Sequence, residues 1–257
     1  MKALLPSALA LALLTAPAFA HAQAPADVCA PGASADARLA AALARPDRPD
    51  SQKALDAARE SEDRFLLGYI KPGDHVLDLG AGGGYSSMLL SAAVCGGSVD
   101  SQNPASWDAA FKQAPARAAM AQARPNIHLL QSDFDKIPAP ASPYDAIFIG
   151  TVYHDTYNIP GANGAAMDRN LYAMLKPGGL VIVVDHAAPA GSGVSDTNTL
   201  HRIDKQVVLN DFKAAGFDLV ADSNALANPA DDHTLKVFDP AIRGHTDRFA
   251  LVFKKPG

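Results

Sequence analysis

No block of lysine or arginine occurs anywhere in this chain of 257 residues, which carries a formal net charge of −5. Nucleic-acid backbones draw basic patches, so no nucleic-acid partner is expected. Cysteine is nearly missing. Cys29 and Cys95 are the only two, and their positions fit no zinc-binding spacing. No apolar run reaches the about 20 residues of a membrane-spanning helix. No Gly-Lys-Ser/Thr triplet is present, which excludes a phosphate loop. There is no internal repeat and no sign of a second domain, so one α/β domain of ordinary size is expected.

What is there begins with a leader. Met1-Lys2 precedes an apolar run from Ala3 to Leu14, interrupted at Pro6, and then Ala18-Phe19-Ala20, a small-x-small cleavage site. Charge, apolar core and cleavage site in that order describe a secretory signal peptide over residues 1–20. Asp27-Val28 before Cys29 is not the small-residue context of a lipid-attached cysteine. The expectation is an exported protein, periplasmic or secreted, with no stable membrane insertion after cleavage. Residues 21–50, rich in Ala, Pro and Asp, read as a flexible arm, and residues 51–257 as the folded domain. In an oxidising compartment Cys29 and Cys95 could pair. Sequence leaves that pairing open.

Strand and helix patterns alternate from there. Ser51 to about Tyr69 reads as a helix with Leu55, Ala58, Phe65, Leu66 and Tyr69 on one face, stopped by Lys71-Pro72-Gly73. Strands are expected at 75–79, 98–103, 127–131, 144–150 and 180–185. A closing antiparallel pair follows at 217–222 and 248–254. Helices are expected at 107–123, with a break near Pro115, at 168–175 and at 199–215. The 223–247 excursion is either a lid or an irregular surface loop. Such alternation implies a doubly wound sheet with its ligand beyond the carboxyl ends of the strands.

The most informative stretch is Val76-Leu77-Asp78-Leu79-Gly80-Ala81-Gly82-Gly83-Gly84. An apolar strand gives way to an acid and then glycines at alternate positions, where backbone can approach a ligand that a side chain would block. The helix that begins at Tyr85 turns its free N–H groups to the same crevice. A dinucleotide fingerprint needs G-x-G-x-x-G, and counted from Gly80 its third glycine would fall on Tyr85.

Asp78-x-Gly80-x-Gly82-x-Gly84 resembles the motif of class I S-adenosylmethionine-dependent methyltransferases. Leu171 to Leu180, which contains Lys176-Pro177-Gly178-Gly179, resembles that family's approach to its fifth strand. The resemblance runs over roughly residues 51–256. More narrowly, Tyr153-His154-Asp155 after the fourth strand resembles a group of exported, poorly characterised methyltransferase-like proteins. It implies a single, mostly parallel, Rossmann-like seven-stranded sheet with an antiparallel C-terminal hairpin. S-adenosylmethionine is the implied cofactor, and a small molecule of unknown kind the implied methyl acceptor. Asp78, Gly80, Ala81, Gly82, Gly84 and Tyr85 would hold its methionine end. Asn103 would stand where an acid normally takes the ribose hydroxyls, a departure that gives up charge-assisted strength. Asp133 would take the adenine amino group, and Phe134 would lie on the adenine face.

At the reactive end the expected catalytic set is Tyr153, His154, Asp155, His186, His201 and Arg202. Histidine is the natural base near neutrality, aspartate could orient it, and arginine suits an acidic substrate group. His154, Asp155, Asp185, His186 and Asp232-His233 are usable metal ligands, and the adjacent Asp185-His186 pair resembles part of the divalent-cation site of some family members. Gly150 stands where the matching acid would be, so no metal is expected. A binding module that keeps the fold without transferring methyl groups is the alternative function.

Overall fold

A computed structural model describes residues 28–30, 32–159 and 164–257. The expected signal peptide, residues 1–20, lies outside the described residues. Among the described residues, no helix is long and apolar enough to cross a membrane.

The chain runs α1 (Ala35–Leu43), α2 (Asp50–Lys53), α3 (Asp56–Leu67), β1 (His75–Leu79), α4 (Tyr85–Ala93), β2 (Ser98–Asn103), α5 (Ala105–Ala110), α6 (Ala114–Ala123), β3 (Ile127–Gln131) and β4 (Tyr144–Gly150). It continues through α7 (Tyr153–Thr156), α8 (Gly164–Met174), β5 (Leu175–His186), α9 (Lys205–Ala214), β6 (Asp218–Ser223) and β7 (Arg248–Lys254). The strands form one sheet in the order β3-β2-β1-β4-β5-β7-β6. β1 to β5 pair in parallel, and β7 lies antiparallel between β5 and β6. This is the seven-stranded, mostly parallel sheet with an antiparallel C-terminal hairpin that the sequence implies.

Alternate strand residues point to opposite faces, and the sheet buries both. Leu77, Leu79, Ile147, Ile149, Val181 and Val183 pack with Leu171 of α8 and Phe212 of α9. Val76, Phe148, Ile182 and Val184 pack on the other face with Leu39 of α1, Leu66 of α3 and Met88 of α4. Each fully buried Leu or Val contributes about 1.5–3 kcal/mol. The strand order reverses between β2-β1 and β4, which opens a crevice at the carboxyl ends of β1 and β4.

The arm expected over 21–50 is corrected from residue 35 onward. Ser34 caps α1 by accepting the Ala37 N–H. Buried Arg38 then donates to the carbonyls of Leu67 and Ile70 at the end of α3, at 2.9 and 2.5 Å. Cys29 and Cys95 form a disulfide, which ties the chain ahead of α1 to the end of α4. An Ala-rich segment too weakly apolar to order itself is thus held by a clamp and a cross-link. The helix expected from Ser51 is broken at Ala54–Leu55 into α2 and α3. The helix expected from Thr199 begins only at Lys205, where Asp204 caps it by accepting the Gln206 N–H.

Candidate functional site

The glycine turn follows β1 directly. Gly80, Gly82 and Gly84 all have positive φ, at 66°, 55° and 85°. A Cβ on Gly80 would meet Val152 Cγ2 at 2.8 Å, and one on Gly84 would collide with Met120. At Gly82 the nearest atom to such a Cβ is Gln113 Nε2, 3.9 Å away, so this backbone faces open space. That space is a cavity of ≈ 1200 Å³ reaching from the glycine turn to the ends of β4 and β5.

Side chains at the end of β2 shape the turn. Gln102 Oε1 accepts the Gly80 N–H at 2.9 Å. Asn103 Oδ1 accepts the Gly82 N–H at 2.9 Å, and its Nδ2 donates to the Gly82 carbonyl at 3.0 Å. Buried Arg117 also reaches the Gly82 carbonyl, at 3.2 Å. Asp78 lines the cavity floor and accepts from the Ser87 hydroxyl at 2.6 Å. Burial raises its carboxyl to about 6, against the opposing pull of Ser87, Arg117 and Arg59. Tyr85 lines the same wall, with its hydroxyl 2.6 Å from Asp63 Oδ2 and the Arg59 guanidinium 4.6 Å above its ring.

The far end of the cavity is built by α7 and the end of β5. Asp185 is fully buried and accepts three N–H groups: His154 backbone at 2.8 Å, His154 Nδ1 at 2.8 Å and His186 backbone at 2.7 Å. Burial alone would raise its pKa, but His154 and these donors hold it below the usual carboxylate range. An ionised Asp185 can only accept, so His154 carries a proton on Nδ1 and turns Nε2 toward His201 and Asp155. Burial would lower the His154 pKa, but Asp185 and Asp155 outweigh it and hold the ring above its ordinary value. His154 Nε2 lies 3.2 Å from His201 Nδ1 and 3.5 Å from Asp155 Oδ1. His186 also lines the cavity and sits 2.8 Å from Thr246 Oγ1, with burial pushing its imidazole down to about 3.

The structure therefore brings Asp78, Gly80, Ala81, Gly82, Tyr85, His154, Asp155, His186 and His201 to one cavity. Gly84 shapes the turn from behind. Five other expected site residues are placed differently. Asn103 is fully buried and saturated by Gly82, Asp108 and Gln113, so it positions the turn and offers nothing to a ribose. Tyr153 points into the core, with its hydroxyl between Asp168 at 2.8 Å and Asp211 at 3.0 Å. Arg202 is fully buried and locks the 223–247 excursion through Asp231 and the Leu235 carbonyl, so it cannot meet a substrate. Asp133 is exposed and pairs with Lys136. Phe134 is buried edge-on against Trp107, 5.2 Å away, behind the cavity wall.

Sequence reasoning missed the wall itself. Trp107 of α5 and Phe111 at its C-terminal cap line the cavity, with Gln113 and Met120 from the following segment and Arg59 from α3. The signal for the aromatic pair was their i, i+4 spacing just after β2, which puts both on one helix face. Val237 and Phe238 of the excursion also line the cavity, and the Phe238 ring lies 4.9 Å from that of His201.

Residues 76–179 match a family model described as a methyltransferase domain. No curated protein matches the chain. A SAM-dependent methyltransferase from Aquifex aeolicus is similar at 18% identity, over 80% of this chain and 98% of that one, with a TM-score of 0.56. A putative sarcosine dimethylglycine methyltransferase from Galdieria sulphuraria is similar at 17% identity, over 81% and 88%, with a TM-score of 0.58. The cyclase SpnF is similar at 16%, over 80% and 81%, with a TM-score of 0.56, so the architecture alone does not name a reaction. Residues 76–179 carry the methyltransferase-domain match, and the chain has the α/β methyltransferase fold of these solved structures.

Proposed function

We propose that this protein is an exported S-adenosylmethionine-dependent methyltransferase acting on a small molecule. The observation that carries this reading is one cavity with the open Gly82 backbone and the Asp78 carboxylate at one end and His154, oriented through Nδ1 by Asp185, at the other. The residues fit the cofactor. The space a Cβ on Gly82 would enter is free, Asp78 is a carboxylate suited to an ammonium, and Trp107 and Phe111 offer flat apolar surface for a base.

When bound, the cofactor supplies an electrophilic methyl group on sulfur. The protein's share is positioning and proton handling. Asp78 and the glycine turn would hold the amino-acid end. His154, oriented by Asp185, would take the proton from an acceptor hydroxyl, amine or thiol through Nε2. Val237 and Phe238 line the cavity at its reactive end, with the Phe238 ring 4.9 Å from that of His201. The Cys29–Cys95 disulfide and the Met1–Ala20 pattern support the exported part of the reading.

The test is transfer of an isotope-labelled methyl group from the cofactor to a panel of small hydroxyl, amine and thiol acceptors. Labelled product is expected, falling at least about a hundredfold in His154→Ala while the affinity for S-adenosylhomocysteine holds. Tight cofactor binding with no labelled product from any acceptor would favour the binding module instead.

A further inference from the structure

His154 Nε2, His201 Nδ1 and Asp155 Oδ1 form a triangle with edges of 3.2, 3.5 and 3.5 Å. The point equidistant from the three atoms lies about 2.0 Å from each, which is the bond length a zinc-like cation makes to imidazole nitrogen and carboxylate oxygen. We infer that these three residues are a preformed site for one divalent transition cation at the reactive end of the cavity.

Three features beyond the triangle point the same way. Asp185 accepts the Nδ1 proton of His154 at 2.8 Å, the carboxylate–histidine pairing that orients metal-binding imidazoles and strengthens them as ligands. His201 is held in the left-handed region at φ 56°, and its Nδ1 faces the other two donor atoms. Such conformations cost energy and cluster at functional sites. All three residues line the cavity, so a cation there keeps open coordination positions on the side where an acceptor would stand. Two imidazoles and one carboxylate favour zinc, cobalt or nickel over magnesium or calcium, which prefer all-oxygen shells.

The site uses neither the end of β4, where Gly150 offers no ligand, nor His186, which is turned to Thr246. A cation bound here takes the Nε2 lone pair. Acceptor activation then passes from the histidine base to the metal, which lowers the pKa of a coordinated hydroxyl so that its O–H proton is lost to solvent water. Cation binding itself does not depend on the methyltransferase reading.

The experiment is a calorimetric titration of the untagged, chelator-treated full chain with Zn²⁺, repeated with Co²⁺ while visible absorption is recorded. One equivalent is expected to bind at micromolar or lower concentration, with cobalt ligand-field bands in the visible. His201→Ala and Asp155→Asn should each weaken binding by at least about tenfold, and Asp185→Asn by about 10–100-fold. Far-UV circular dichroism would confirm that each variant is folded. Absence of a one-equivalent isotherm in the wild-type chain would overturn the inference, and that arm needs no variant to fold. An isotherm unchanged in folded His201→Ala would overturn it equally.

Discussion

Asn103 grips Gly82 from both sides. Its Oδ1 accepts the Gly82 N–H and its Nδ2 donates to the Gly82 carbonyl, while Nδ2 also faces Asp108 Oδ1 at 2.9 Å and Gln113 Oε1 at 3.2 Å. Only an amide can do this. A carboxylate would keep the first bond and set its second oxygen against three acceptors. Asn103→Asp should therefore lower stability by about 1–3 kcal/mol and weaken binding of S-adenosylhomocysteine. Thermal unfolding and calorimetry check it. Tighter binding in Asn103→Asp would instead show the side chain reaching the ribose.

On the proposed function, Asp78 should give cofactor binding a pH dependence. Its carboxyl is raised by burial to about 6, so the unliganded protein becomes protonated there below that pH and loses the charge that meets an ammonium. Affinity should rise with pH up to about 6 and then level off. Below it, affinity should fall by up to about tenfold per unit. Binding isotherms between pH 4.5 and 8 check this, and Asp78→Asn should bind weakly with no such slope. A wild-type affinity that does not change across pH 6 would contradict it.

The parts of this molecule legible in its sequence are those set by local rules. The turn after β1 needs positive φ at alternate positions, and glycine at 80, 82 and 84 announces it. The strands follow from short apolar runs between turn residues. Side-chain direction was less legible. In α7 successive residues turn by about 100°, so Tyr153 enters the core beside Phe212 while His154 and Asp155 face the cavity. Neighbours in the chain therefore do different work, and no spacing says which. Arg202 was ambiguous for another reason. Its partner Asp231 lies 29 residues away, in an excursion that shows no periodic pattern. Helix α1 was hidden because alanine carries little apolar signal. Its order comes from Arg38 reaching the end of α3 and from the chain's one cross-link, both long-range.

That cross-link should matter to stability. The disulfide joins residues 66 apart in sequence, and closing a loop of that size contributes about 2–4 kcal/mol by restricting the unfolded chain. Reduction, or Cys29→Ala with Cys95→Ala, should lower the unfolding midpoint clearly. The cavity lies against the segment between α1 and α2, where Asp47 and Pro49 line its wall, so cofactor affinity should fall as well. Two free thiols in the unreduced protein, or an unchanged midpoint on reduction, would contradict this.

The most direct measurement is calorimetric titration of the full chain with S-adenosylmethionine and with S-adenosylhomocysteine, in the wild type and in Gly82→Arg. The substitution fills the open side of the turn and strains its backbone by about 1–2 kcal/mol, which circular dichroism would show the fold to tolerate. One site for either ligand at micromolar concentration, lost in folded Gly82→Arg, is the expected result. No saturable binding of either ligand to the wild-type chain, or equal binding in the variant, would contradict the account.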